Sequence, residues 1–135
     1  MDVPHATWKA SNLGFDAAVA RLPEALKKEG FGVITQIDLQ ETFRAKLDVP
    51  FRRYRIFGAC HPGFAHRAVS AEPRIGALLP CNVVLYEDDE GRTIVGAVDP
   101  MQTLGRLPGA SEGPVAELAR DVAARLGRVL EDLGG

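Results

Sequence analysis

No stretch of this chain stays apolar over the roughly 20 residues a membrane-spanning helix needs. A membrane role is therefore not expected. Charge of one sign is also missing. The 16 Lys and Arg stand against 18 Asp and Glu, a formal net charge of −2, and without a broad positive field nucleic acid is not the expected partner. The densest basic cluster, Arg52-Arg53-Tyr54-Arg55, reads as the solvated start of a strand. Cysteine is scarce, with two in 135 residues, which excludes a disulfide scaffold. The opening Met1-Asp2-Val3-Pro4-His5 has no basic region followed by an apolar stretch, so it does not read as an export signal. The expectation is a cytoplasmic location with both thiols reduced.

Three motifs are missing as well. No Gly-x-Gly-x-x-Gly loop follows a strand, as a dinucleotide site requires. Ser11, Ser70 and Ser111 lack the Gly-x-Ser-x-Gly context of a nucleophilic serine. No Cys-x-x-Cys knuckle is present to begin a zinc site.

What is present is an ordinary globular composition, 46% apolar and 25% charged, in a length that suits one domain over residues 1–135. Thr7 to Ser11 reads as a first strand. Phe15, Val19, Leu22 and Leu26 then fall on one helical stripe, with a bend expected at Pro23 and a left-handed stop at Gly30. A strand follows over Phe31–Ile37. Asp38 and Glu41 form a capping pair for a short helix with Leu39, Phe43 and Leu47 inward. Tyr54–Cys60 is the next strand, with Tyr54, Ile56, Gly58 and Cys60 on one face. That parity points Cys60 the way the apolar side chains point.

Pro62 opens a helix reaching about Ala71, with Phe64, Ala68 and Val69 as its apolar members. Asn82–Glu87 and Thr93–Val98 form a hairpin around an acidic turn, and Val83-Val84-Leu85 reads as a strand covered on both faces. Asp99 caps a short helical piece, and a loop at Pro108-Gly109-Ala110-Ser111 precedes the last helix. There Val115, Leu118, Val122, Leu126, Val129 and Leu133 make one stripe. This order predicts an α+β fold: a two-layer sandwich with a five-stranded, mixed or mainly antiparallel sheet and helices packed on one face. So small a sheet leaves an edge or a face bare, and a second copy, giving a homodimer, is the expected cover.

The chemistry centres on the cysteines. Cys60 precedes a helix start, where backbone N–H groups favour a thiolate, and His61 beside it adds charge when protonated. Cys81 follows Pro80 and opens an apolar strand. If the two strands are neighbours, both sulfurs reach one rim of the sheet. There they could hold a small ligand or a soft metal ion, or form a reversible disulfide. A zinc site lacks ligands: His61 adjoins Cys60, His66 faces away from His61 around the helix, and His5 lies at the terminus. Cys60 and Cys81 are thus weak metal candidates, and no cofactor is indicated. Packing also accounts for both, since free cysteine is among the most buried residue types.

Four segments resemble a known family: Glu29-Gly30-Phe31-Gly32-Val33, Tyr54-Arg55-Ile56-Phe57-Gly58-Ala59-Cys60-His61-Pro62, Glu72-Pro73-Arg74-Ile75-Gly76 and Leu78-Leu79-Pro80-Cys81-Asn82-Val83-Val84. In order and spacing they are similar to the domain-of-unknown-function 302 family, over about Phe15 to Pro100. His61 stands where that family's pattern has asparagine. The resemblance implies a small bacterial α+β protein that forms a homodimer, and it brings no activity. Its motif points to Gly58, Cys60, Pro62, Pro80 and Cys81, and the neighbouring His61 and Asn82 complete the candidate binding set. The leading expectation is a domain that binds a small ligand or soft metal, or senses redox state, through Cys60 and Cys81. The alternatives are a thiol-dependent enzyme with Cys60 as nucleophile and a dimeric scaffold whose cysteines only pack.

Overall fold

Antiparallel pairing throughout sets the architecture. The computed structural model describes residues 5–107 and 113–134. The opening segment before His5 and the expected loop at Pro108-Gly109-Ala110-Ser111 lie outside them. The described elements are β1 (Ala6–Ala10), α1 (Phe15–Lys28), β2 (Gly32–Asp38), α2 (Leu39–Leu47), β3 (Tyr54–Cys60), α3 (Pro62–Ala71), a 3-10 segment (Pro73–Leu78), β4 (Cys81–Glu87), β5 (Thr93–Val98), a second 3-10 segment (Leu104–Arg106) and α4 (Pro114–Gly134). The strands form one open sheet in the order β1-β5-β4-β3-β2. Each neighbouring pair is antiparallel, so the fold is α+β with no parallel strand in the described sheet.

Helices α1, α3 and α4 bury their apolar stripes together with one face of the sheet. The shared core includes Leu22 and Leu26 of α1, Phe64 and Ala68 of α3, and Leu126 and Leu133 of α4. Phe57, Val83, Leu85 and Val95 meet them from the sheet, each at most 1% exposed. Complete burial of side chains this size contributes about 1.5–3 kcal/mol apiece before entropy is subtracted. Pro23 sits in α1 without ending it, on the exposed side. The helix stops as its sequence dictates. Gly30 has φ of 88°, its N–H donates to the Lys27 carbonyl, and the Phe31 N–H reaches the Leu26 carbonyl at 3.0 Å, which is the Schellman pattern.

Three sequence expectations need correction. Tyr54, Ile56, Gly58 and Cys60 do share a face, but strand register places Phe57 and Ala59 on the helix side. The apolar face of β3 with respect to the core is therefore the other one. Val84 is only half-buried, so β4 is covered fully on one face alone. Leu47 of α2 and Val69 of α3 are exposed, because each lies on the side of its helix turned away from the sheet and the core.

The face away from α1, α3 and α4 carries a row of aromatic side chains. Trp8 meets Tyr86 edge-on, Tyr86 stacks with Tyr54 at 5.5 Å, Tyr54 tilts toward Phe51, and Phe51 meets Phe43 of α2 edge-on at 4.9 Å. Gly96 lies beneath Trp8, where a Cβ would meet the indole at 2.2 Å. The Trp8 Nε1 is shielded and has no acceptor among the described residues. The arginines at the start of β3 are each matched by a carboxylate: Arg52 by Asp89, Arg53 by Asp16, Arg55 by Asp38. They form no free basic patch.

Candidate functional site

Where β3 runs into α3, the backbone turns from extended to helical across a single residue, His61, and this junction builds the site. His61 takes the N-cap position. Its Nδ1 accepts the Phe64 N–H at 3.4 Å, a long bond that meets one of the orphan donors of the first turn. An Nδ1 used as acceptor leaves the ring's proton on Nε2 in the neutral state. Pro62 follows at the first helical position, where its missing N–H costs nothing. The imidazole stacks on Phe64 with centroids 3.9 Å apart and meets Phe31 edge-on at 5.6 Å.

Strand register brings the second cysteine to the same place. Ala59 pairs with Cys81 across β3 and β4, so Cys60 at the end of β3 lies one position from Cys81 at the start of β4. Both are free thiols; Cys60 is half-buried and Cys81 is buried. Burial pushes the Cys81 thiol up to about 11, and a charge on nearby Cys60 would push the same way. Cys81 is thus a neutral thiol throughout the physiological range.

The two cysteines, His61 and Pro80 line one cavity of about 280 Å³. The rest of its wall is apolar, from Phe31 after α1, Ile34 of β2, Phe64 and Ala68 of α3, and Leu118 and Val122 of α4. Gly58 and Asn82 do not line it. They pair with each other across β3 and β4, and Asn82 is exposed. Gly58 has a packing reason instead: a Cβ there would meet Thr35 Oγ1 at 2.1 Å and Pro80 Cγ at 2.8 Å. Phe31, Ile34, Leu118 and Val122 were not among the site residues read from sequence. Apolar positions carry no chemical signature in a sequence, and only the tertiary fold gathers them.

Among the described residues no group of three or more His, Cys, Asp and Glu is placed to hold a metal ion. No helix among them is long and apolar enough to cross a membrane. His66 is exposed on the outer side of α3, apart from the cavity wall.

The sequence matches the family described as Domain of unknown function DUF302 over residues 7–133. The chain belongs to that family. It is also similar to a crystal structure of an uncharacterized conserved protein DUF302 from Bacillus stearothermophilus, at 28% sequence identity and a TM-score of 0.84. That similarity covers 96% of this chain and 98% of the other. No curated protein matches. Membership of the DUF302 family therefore accounts for the fold and assigns no chemistry to the cavity.

Proposed function

We propose that this DUF302 protein is a small-molecule-binding domain whose ligand enters the cavity bounded by Cys60, His61 and Cys81. The observation that carries the reading is convergence. Two thiols twenty-one residues apart meet at one apolar cavity of about 280 Å³, close to the lower end of the range that small-molecule sites occupy. The burial of Cys81 weighs against its own part in the soft-metal and redox alternatives. A thiol held near 11 by burial is neither a ready metal ligand nor a fast partner in disulfide exchange. The enzyme reading lacks a base in His61. The Nδ1 lone pair of His61 is taken by the Phe64 N–H, and the Nε2 that carries the proton has no lone pair to offer Cys60.

Alkylation of the native protein by a small uncharged maleimide, followed by mass spectrometry, tests the reading. Cys60 should react in the folded state and Cys81 only on unfolding. If neither sulfur reacts until the protein unfolds, the cavity is sealed packing and the reading fails.

A second copy of the chain as partner has its own support. The edge strand β2, Gly-Val-Ile-Thr-Gln-Ile-Asp, carries no lysine, arginine or proline to discourage pairing, and Ile34 and Ile37 are 61% and 45% exposed. A cytoplasmic setting accords with the two unlinked thiols. A scaffold whose cysteines only pack is the outcome left if ligands do not bind.

A further inference from the structure

We propose that the occupant of the cavity is an uncharged, planar aromatic molecule of about two fused rings; this rests on the ligand-binding reading above. Size sets the scale. An apolar protein cavity of about 150 Å³ accepts one benzene ring, and the space here, about 280 Å³, is close to double that.

Charge narrows the class. Among the described residues no Lys, Arg, Asp or Glu lines the cavity. Arg67 and Arg125 lie over the Phe64 ring, 5.0 and 5.3 Å from its centroid, but do not belong to the wall. An anionic or cationic ligand would lose its hydration and find no counter-charge. The wall chemistry then favours rings over chains. Phe31, His61 and Phe64 present faces and edges in mutually stacked and perpendicular settings, and Cys60 and Cys81 add two sulfurs, which make favourable contacts with ring edges. A flexible alkyl chain of the same bulk would also bury its carbons. It would lose rotamer freedom on confinement, whereas a fused ring system has none to lose.

The test uses three probes on the full chain: 2-naphthol, its charged relative 2-naphthoate, and the flexible 1-octanol. Two quantities are read for each, the melting temperature and the rate of maleimide modification at Cys60. 2-Naphthol is expected to raise the first and slow the second saturably, with 2-naphthoate and 1-octanol each weaker by about tenfold or more, a difference of about 1.4 kcal/mol. Ala68→Phe, which fills the cavity from α3, should abolish the response; Ala65→Leu serves the same purpose if the larger residue prevents folding. Binding of 1-octanol as tight as that of 2-naphthol, or tighter, overturns the aromatic class; the same result for 2-naphthoate overturns the requirement for an uncharged ligand, and either leaves ligand binding in place. No response to any of the three overturns both.

Discussion

His61 occupies the space that a side chain at residue 30 would need. A Cβ on Gly30 would lie 2.6 Å from the imidazole Nε2 and 2.8 Å from Cδ2. The glycine that ends α1 is therefore also one wall of the seat for the residue that caps α3, and two distant segments of chain fix one ring.

Gly30→Ala is expected to destabilise the protein by about 1–3 kcal/mol, because it forces a left-handed φ on a residue with a Cβ and collides with the imidazole. Gly32→Ala is the control. Its Cβ would meet nothing within 4 Å, and a change below about 0.5 kcal/mol is expected there. Urea denaturation checks both, and equal costs at the two positions would show that the His61 contact carries no weight.

Cys81 makes stability fall in alkali. Its folded-state pKa of about 11 lies above that of a free thiol, about 8.5, so folding favours the protonated form. The contribution is complete below about pH 8.5 and is lost as the pH rises toward 11, in total on the order of 3 kcal/mol. Cys81→Ala should remove this component, so the difference between wild-type and variant stability shrinks across that window. A difference that stays constant with pH would contradict a buried neutral thiol.

Asp132 ties the end of α4 to α1. Its carboxylate takes Arg21 at 2.6 Å and Lys28 at 3.4 Å, and the Arg21 hydrogen bond, foremost, holds its pKa below the usual value. A depressed carboxylate pKa contributes stability above the unfolded-state pKa, near 3.9, that is lost as the pH falls through the folded one. Asp132→Asn should cost about 1 kcal/mol at pH 7. That deficit should narrow below about pH 4, as followed by thermal melts at low ionic strength.

The exposed edge of β2 gives a prediction about assembly. Ile37→Lys places a charge of the kind that guards natural edge strands. Sedimentation should show a dimer for the wild type and a folded monomer for the variant. A wild-type chain that sediments as a monomer at all concentrations would dispose of the second-copy partner.

The backbone plan was legible because local chemistry declares it. Gly30, Asp38, Pro62 and the acidic turn before Thr93 each mark an element boundary by a mechanism of their own, and most strand and helix limits fall within a residue or two of those marks. Face assignment was harder. On β3, Tyr54 and Ile56 outrank Arg53 and Arg55 in hydrophobicity, yet the core face is set further along, by Phe57 and Ala59. The strand is apolar on both sides, and only register against β4 decides which side the helices cover. The cysteine pair was readable as two junction residues. Phe31 and Val122, which give the cavity its walls, were not, because nothing local separates a cavity-lining residue from one packed in the core.

The aromatic row on the uncovered face has a practical consequence. The chain has one tryptophan and two tyrosines, and all three belong to that row. Excited tyrosine there has an indole acceptor a few ångströms away, and the indole itself is screened from water at its nitrogen. Intrinsic emission should therefore respond when something lands on the bare side of the sheet, and stay nearly silent when a molecule fills the cavity at the β3–α3 junction. One fluorimeter trace thus separates the two events without any added label.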